Sequence, residues 1–542
     1  MLEEATNFYL SAMRTAPSEL SYKQGFIDFI GEKRAFMHDD SIGDALVECL
    51  NLGSRLELSR LYKYWFEHNT AHPEFHAAFA LKDRKPFDPE NSAFFEKISD
   101  YKPLFTPCFL LGVKNFIVLN PLFEEFIVHV RKQLLAGKFT PEESLVLADA
   151  ISHYSFNTDF ILDCTEEEQK AIDALRFRIE AGQYDIADIA LFACYAPLYA
   201  LKNANEIMQK FSASASMADI IKTQISNYLR LREISESIVT ITPIDSATSE
   251  DVREQYEEFP YPRWTSFSLS AWIRSWEATL NREILNLRDK KLKILNAGCG
   301  TGNEAILLAS MFPKSEVLAV DLSRTSLAYA VKKAEEYGIK NITFRQADIQ
   351  HLGVLDQQFD YISSVGVLHH MKDPVAGWKV LSGLLKPKGL MTIGLYSKIA
   401  RTGIIKTRKI AREAGYTGDA ASMKSFRKKS PQILDPDVLK NISSFRDYYS
   451  LSMYRDLLFH VQEYNYDLLE IESILKKLNM DFICFEQSRS LMQEYERRFP
   501  NDPAKTNLAN WSILENDRPS ATGHMYTFWC RKGSYTTPSY KN

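Results

Sequence analysis

Through the first 245 residues, apolar positions fall three and four apart. Phe8, Leu10 and Met13, then Leu52, Leu56, Leu58, Leu61, Tyr62 and Trp65, recur at helical spacings with few β-branched runs between turns. Helices are expected over 123–135, 141–154, 166–181, 186–203 and 217–237, with a linker or long loop over 83–91, where Pro86 and Pro89 interrupt the pattern. A helix pair over 12–20 turns at Ala16-Pro17 in the manner of a tetratricopeptide unit, but no clean repeat period follows, so an irregular all-α domain is the plainer expectation. Residues 239–243 read as a short extended piece. Beyond residue 290 the pattern changes. Short apolar runs at 293–297, 317–320, 342–344, 359–364 and 390–396 read as strands, and helical stretches separate them. Ser323 caps one of these helices and Gly338 stops it; Asp373-Pro374 opens another, and Lys386-Pro387-Lys388-Gly389 reads as a turn into the fifth strand.

Three glycines, Gly298, Gly300 and Gly302, follow the first of these strands and precede a helical pattern (Ala305, Ile306, Leu308, Met311). Strand, tight loop and helix N-terminus bring backbone N–H groups close to a bound ligand, and a Cβ would obstruct both turn and approach. Only 22 of 542 residues are glycine, so the cluster is not a product of composition. The dinucleotide spacing G-x-G-x-x-G would need glycine at 303, which is Asn303.

The spacing found, G-x-G-x-G, resembles motif I of the class I S-adenosylmethionine-dependent methyltransferases. Later positions agree: Asp321 ends the second strand, Ala347-Asp348-Ile349 follows the third, and Val365-Gly366-Val367-Leu368-His369-His370 follows the fourth. The resemblance implies an α/β Rossmann-like sheet of seven strands, the last antiparallel, with ligands at the C-terminal strand ends. It further implies a helix near 466–478 and closing strands at 480–485 and 524–530. By the same resemblance S-adenosyl-L-methionine is the cofactor, held by Asn296, Gly298, Cys299, Gly300, Gly302, Asp321, Leu322, Asp348, Ile349 and Val365. Asp321 would hold the ribose hydroxyls and the 347–349 segment the adenine. One position departs from the family. An acid usually stands two residues before the first glycine, to take the methionine ammonium; here it is Asn296, whose amide accepts a hydrogen bond without bringing charge. The whole resembles bacterial members that carry a helical, tetratricopeptide-like N-terminal region.

The expected organisation is an all-α domain over 1–245, an aromatic, proline-rich lid or linker over 246–265, a methyltransferase domain over 266–397 and 466–535, and an inserted, mostly helical segment over 398–465. In the linker, Tyr256-Glu257-Glu258-Phe259-Pro260-Tyr261-Pro262-Arg263-Trp264 reads as stiff and extended because of its prolines. It serves either as a lid carrying Tyr256 or Tyr261 to the site or as a brace between domains. The insertion is basic: 398–429 holds ten Lys/Arg and two acids, a balance of 10 − 2 = +8 against −5 for the chain. A solvated helix face is the ordinary explanation; a docking surface for an acidic substrate is the sharper one. Aromatic residues are too sparse there for single-stranded nucleic acid.

Composition is that of a globular protein, 45% hydrophobic and 25% charged, with chain enough for about three domains. Seven cysteines without C-x-x-C pairing predict neither a disulfide framework nor a metal site, and Cys299 reads as a small loop residue. Met1-Leu2-Glu3-Glu4 is no signal peptide, and 189–201 is too short to span a bilayer, so a cytoplasmic protein is expected.

Methyl transfer from a sulfonium needs alignment of donor and nucleophile and, for many acceptors, removal of a proton. Candidates for that proton work are His369, His370 and His460, with Tyr261 and Tyr396 as positioning groups. The bland alternative for each histidine is packing. His460 and Glu463 share a helix face without a nearby third ligand, so no metal is expected. The reading is a methyltransferase for an N or O nucleophile. A protein acceptor is favoured, because the helical half exceeds what a small-molecule enzyme needs; a small molecule is the runner-up, and a non-catalytic cofactor-binding scaffold the reading from another class.

Overall fold

The computed structural model describes residues 2–32, 40–53, 56–258, 261–264, 286–519 and 521–533, with 269, 272, 273, 276 and 277. Its contacts divide the chain into two compact units. One takes in Met1–Arg230 and Ala411–Leu457; the other takes in Leu231–Trp264, Ser268–Ile410 and Leu458–Asn542. The expected start of the sheet domain at 266, its last two residues at 534 and 535, and Phe259 and Pro260 of the aromatic segment lie outside the described residues.

The first unit is helical. Thr140, Thr165 and Asp185 each close a capping box on the helices Pro141–Asn157, Glu166–Glu180 and Ile186–Ala193. Aromatic side chains fill its centre: the Trp65 ring meets Phe109, Phe116 and Phe123 at 5.5–6.0 Å. The single helix expected over 186–203 stops at Ala193, and after Pro197 only the short 3-10 turn Leu198–Ala200 forms. The stretch expected as one helix over 217–237 is continuous but passes through a π-turn at Lys222–Ser226. The expected loop over 83–91 is flanked and partly filled by Leu81–Asp83 and Glu90–Phe95.

Much of the expected insertion belongs to this helical unit. From the helix Ala420–Ile433, Arg427 donates both terminal nitrogens to Glu124 at 2.6 Å, a buried pair, and its Nε to the Tyr448 carbonyl at 2.9 Å. Asp159 Oδ2 takes hydrogen bonds from the hydroxyls of Ser450 and Ser452 and from the Ser452 N–H. At least five of the ten basic residues of 398–429 are engaged. Lys398, Arg401, Arg408, Arg427 and Lys428 each lie in an ion pair with a carboxylate of their own unit, which weakens the docking-surface reading.

The second unit is built on strands β1 Lys293–Ala297, β2 Glu316–Asp321, β3 Ile342–Gln346, β4 Phe359–Val365, β5 Leu385–Tyr396, β6 Met480–Phe485 and β7 Met525–Lys532. Their order is β3-β2-β1-β4-β5-β7-β6, with β1 to β5 pairing parallel and β7 antiparallel to both neighbours. The strands read as apolar runs because helices cover them: Leu295, Val320, Ile362 and Met391 are buried in a core shared with Trp378 and Leu381 of the helix Pro374–Gly383. Ser323 and Asp373 cap their helices as expected, and Gly338 takes φ +66° after the helix Arg324–Glu336.

Two expectations are corrected here. Residues 386–389 form no separate turn before the fifth strand. β5 begins at Leu385 opposite Phe359, and the residues up to Leu390 bulge against Tyr361. The segment from Tyr256 is not extended from its start. Ser246 accepts the Ser249 N–H and opens the helix Ala247–Glu258, because the prolines lie beyond that helix and leave its backbone donors intact. Of the expected extended piece 239–243, residues 239–241 pair with the outer edge of β3, where Thr240 bridges to Gln346, and the chain bends at Thr242. The helices Arg489–Arg498 and Leu508–Asp517, between β6 and β7, had no counterpart in the sequence reading.

Candidate cofactor and acceptor site

The strand order reverses between β1 and β4, with β2 and β3 on one side and β5 on the other; open parallel sheets bind ligands at such a crevice. The loop after β1 is shaped for close approach. Gly298, Gly300 and Gly302 all have positive φ (+80°, +51°, +83°). A Cβ would fall 2.4 Å from Val367 at Gly298, 2.9 Å from the Tyr261 carbonyl at Gly300 and 2.4 Å from Ala330 at Gly302. Between them Cys299 is buried and its thiol is pushed well above its ordinary range by burial, which suits a small packed residue rather than a nucleophile.

Asp321, at the end of β2, ties the loop down: its two oxygens accept the Gly300 N–H at 2.7 Å and the Ser323 N–H at 2.9 Å. A carboxylate has about four lone-pair sites, so two remain for hydroxyl donors. Burial raises its carboxyl, against those backbone bonds. Leu322, the next residue, uses its carbonyl to accept the Gln346 amide. Beyond β3, Asp348 caps the 3-10 turn Ile349–Val354 through Oδ1. Its Oδ2 is buried and without a hydrogen-bond partner. Ile349 packs in the core beneath, and Val365 ends β4 opposite Gly394.

Asn296 is fully buried in β1. Its Nδ2 donates to Glu304 Oε2 at 2.9 Å and its Oδ1 has no partner. Two unpaired buried acceptors, Asn296 Oδ1 and Asp348 Oδ2, thus stand at the C-terminal ends of β1 and β3. A buried acceptor without a donor is costly unless a ligand supplies one. The ammonium and the exocyclic amine of S-adenosylmethionine are donors of the needed kind, so the residues fit that cofactor.

The histidines gather beside the same loop. His369 and His370 lie in a 3-10 turn, Leu368–His370, that follows β4; Val367 just before it packs on Gly298. His370 stacks on His460 with ring centres 3.7 Å apart, and His369 meets Tyr396 at 3.9 Å. Arg401 lies over the Tyr396 ring at 3.5 Å. The Tyr256 hydroxyl meets His460 Nε2 at 3.1 Å, and the Tyr256 and Tyr261 rings stack at 6.2 Å. One residue sorts the two stacked imidazoles. The Gln462 N–H donates to His460 Nδ1 at 3.1 Å, and the Gln462 carbonyl lies 2.8 Å from His370 Nδ1. In the neutral rings this puts the proton of His460 on Nε2, toward the Tyr256 oxygen, and that of His370 on Nδ1, which leaves His370 Nε2 as an acceptor. Both rings are neutral at pH 7. Burial lowers His370 to about 4, with Arg408 and Arg401 adding to it and Glu463 opposing; burial and the neighbouring His370 hold His460 well below its usual range.

Sequence reasoning therefore named the residues that the fold brings together, Tyr261, His369, His370, Tyr396 and His460. It did not name Glu304 or Gln462. Glu304 stood within the glycine stretch but six residues past its first glycine, and nothing in spacing shows that its side chain turns back to β1. Gln462 acts through its backbone, which leaves no trace in residue type.

Residues 288–435 match the family model described as a methyltransferase domain. An uncharacterized protein of Synechococcus is 39% identical over 113 residues, 21% of this chain and 27% of its own length. The malonyl-[acyl-carrier protein] O-methyltransferase of Bacillus cytotoxicus is 23% identical over 216 residues, 39% of this chain and 72% of its own. PKMT2 of Rickettsia typhi superposes with a TM-score of 0.37 at 19% identity, over 50% of this chain and 54% of that one. The chain spans 27%, 56% and 47% of the length of the Synechococcus protein and of two further curated relatives, from Rickettsia prowazekii and Schizosaccharomyces pombe. Residues 288–435 thus match a methyltransferase domain, and they hold strands β1 to β5 of the sheet unit.

Proposed function

We propose that this protein transfers the methyl group of S-adenosylmethionine to an N or O nucleophile, with His370 Nε2 as the proton acceptor and a protein as the favoured substrate. The observation that carries the chemistry is the pair of hydrogen bonds from Gln462 that holds His370 and His460 in opposite tautomers beside the glycine loop. The cofactor supplies a methyl group already activated on a sulfonium. The chain's share is to hold Asn296, Asp321 and Asp348 for binding and to present a neutral imidazole to the proton of the acceptor. Tyr256, fixed by His460, and Tyr261, over Gly300, orient the acceptor.

A protein acceptor is supported by the helical unit: among its described residues up to Arg230, none forms a strand of the sheet. A small acceptor is the second reading, favoured by the burial of His369, His370 and His460. The test is methyl-labelled S-adenosylmethionine with purified protein and a lysate, resolved into protein, RNA and small-molecule fractions. Gly300→Arg, whose side chain would start against the Tyr261 carbonyl, is the blocked control. Label in the protein fraction, lost with Gly300→Arg, is the expected result; label confined to small molecules establishes the second reading. Binding without transfer to any fraction would leave a cofactor-holding scaffold and sink the proposal. His370→Gln should lower kcat by about 10²–10⁴-fold while leaving cofactor affinity as it was.

A further inference from the structure

The family's usual acid before the first glycine is missing at Asn296, yet the structure places an acid behind it. Glu304, in the first turn of the helix Asn303–Met311, reaches back across the sheet and joins two strands. Its Oε2 accepts Asn296 Nδ2 at 2.9 Å and its Oε1 accepts the Ser363 hydroxyl at 2.6 Å. Asn296 and Ser363 are register partners on β1 and β4, so one carboxylate bridges both strands at the point where the sheet order reverses. Burial raises the Glu304 carboxyl, against the hydrogen bonds donated by Ser363 and Asn296, and the helix N-terminus favours its ionised form.

The bridge fixes the amide. With a carboxylate on one side, Asn296 must turn its N–H donor toward Glu304, because the reversed amide would face oxygen with oxygen. Its Oδ1 is then directed away from Glu304, buried and without a partner. The donated hydrogen bond also draws electron density toward Oδ1, so part of the carboxylate's charge is expressed at the amide oxygen.

We infer that Glu304 is the positioning residue for the cofactor's ammonium: it orients Asn296 Oδ1 as the acceptor and supplies the negative charge that Asn296 lacks. The acid is displaced by one side chain, not lost. This rests on the reading of the site as an S-adenosylmethionine site, and it concerns the amino-acid end of that ligand only.

The test is equilibrium binding by calorimetry of two ligands to the full chain. S-adenosylhomocysteine carries the ammonium; 5′-methylthioadenosine keeps adenosine and thioether but has none. Glu304→Gln should weaken S-adenosylhomocysteine about tenfold or more and leave 5′-methylthioadenosine within about twofold, since only charge-assisted contact to the ammonium is lost. Asn296→Asp alone should also bind poorly, because two carboxylates at hydrogen-bond distance repel unless they share a proton. The double variant Asn296→Asp with Glu304→Gln should recover affinity, because it returns the single charge to β1. A merely structural role for Glu304 would weaken both ligands together and gain nothing from the second substitution.

Glu304→Gln that binds S-adenosylhomocysteine as the wild type does, or that loses both ligands equally, overturns the inference, as does a double variant no better than either single one. Wild-type protein that binds neither ligand would sink the cofactor reading itself. Should Glu304→Gln not fold, Ser363→Ala removes only the second support. It should weaken S-adenosylhomocysteine alone by about two- to fivefold; an equal loss for both ligands, or no loss for either, would overturn the inference.

Discussion

Glu486, just past β6, accepts the Trp529 indole N–H at 2.7 Å, and burial pushes its carboxyl up to about 7, with Glu304 adding repulsion and the indole opposing. Between about 4.5 and 7 the folded chain therefore holds a proton that the unfolded chain has released, and stability falls as pH rises through that window, by at most about 1.4 kcal/mol per unit. Glu486→Gln keeps the hydrogen bond and removes the titration. Urea unfolding should find it more stable than the wild type at pH 8, by about 1–3 kcal/mol, and nearly equal at pH 4.5. Parallel curves at both pH values would contradict the assigned shift. His370 carries the opposite sign. Its pKa, lowered to about 4, keeps it neutral across the range where a methyl acceptor would be deprotonated. Residue types were legible in the sequence at this scale; their protonation was not. Nothing in the letters Leu368-His369-His370 says that Gln462, ninety-two residues later, assigns the proton.

At the scale of elements, strands and helices near the site followed their local signals closely. β1 lies where the apolar run ended at the first glycine, and Ser323, Asp373 and Gly338 cap or stop their helices through their own side chains or backbone freedom. Two glycines separate function from conformation. Gly298→Ala places a methyl 2.4 Å from Val367 at φ +80°, while Gly338→Ala at φ +66° meets nothing within 4 Å. Gly338→Ala should cost about 1 kcal/mol in thermal unfolding and leave S-adenosylhomocysteine affinity intact. Gly298→Ala should cost more and lower that affinity by at least about tenfold, because the shift of Val367 moves the turn that holds His369 and His370. Equal behaviour of the two variants would contradict the close-packing account. Elements were misread where a local signal was displaced or broken. The prolines after Tyr256 suggested an extended segment where the helix Ala247–Glu258 still runs, and Pro197 ended a helix that periodicity alone would have continued.

At the scale of the whole molecule, the segment between β5 and β6 leaves the sheet unit and supplies 411–457 to the helical one. Within that unit the Glu124–Arg427 pair is buried, bidentate and braced by the Tyr448 carbonyl and ring. Removing one partner strands the other: Glu124→Gln should destabilise the protein by about 3–5 kcal/mol in denaturant unfolding, and Arg427→Met likewise. The double change Glu124→Met with Arg427→Met should cost less than either alone, since no buried charge remains. Strictly additive losses would show that the two side chains act independently. Among the described residues no helix is long and apolar enough to cross a membrane.

The sequence by itself determined the glycine loop and the order of the strands along the chain. Each of these depends on neighbours a few residues away: a turn that only glycine permits, a cap that bonds the next turn, an apolar run covered on both faces. Only the tertiary structure decided which unit receives 411–457, which basic residues are spent in ion pairs, and which histidine nitrogen carries a proton. It alone brought Glu304, eight residues on, back to Asn296 on β1 through the turn into a helix. Such facts depend on contacts between residues far apart in sequence, and on burial, which sets the cost of charge; neither is written in local pattern.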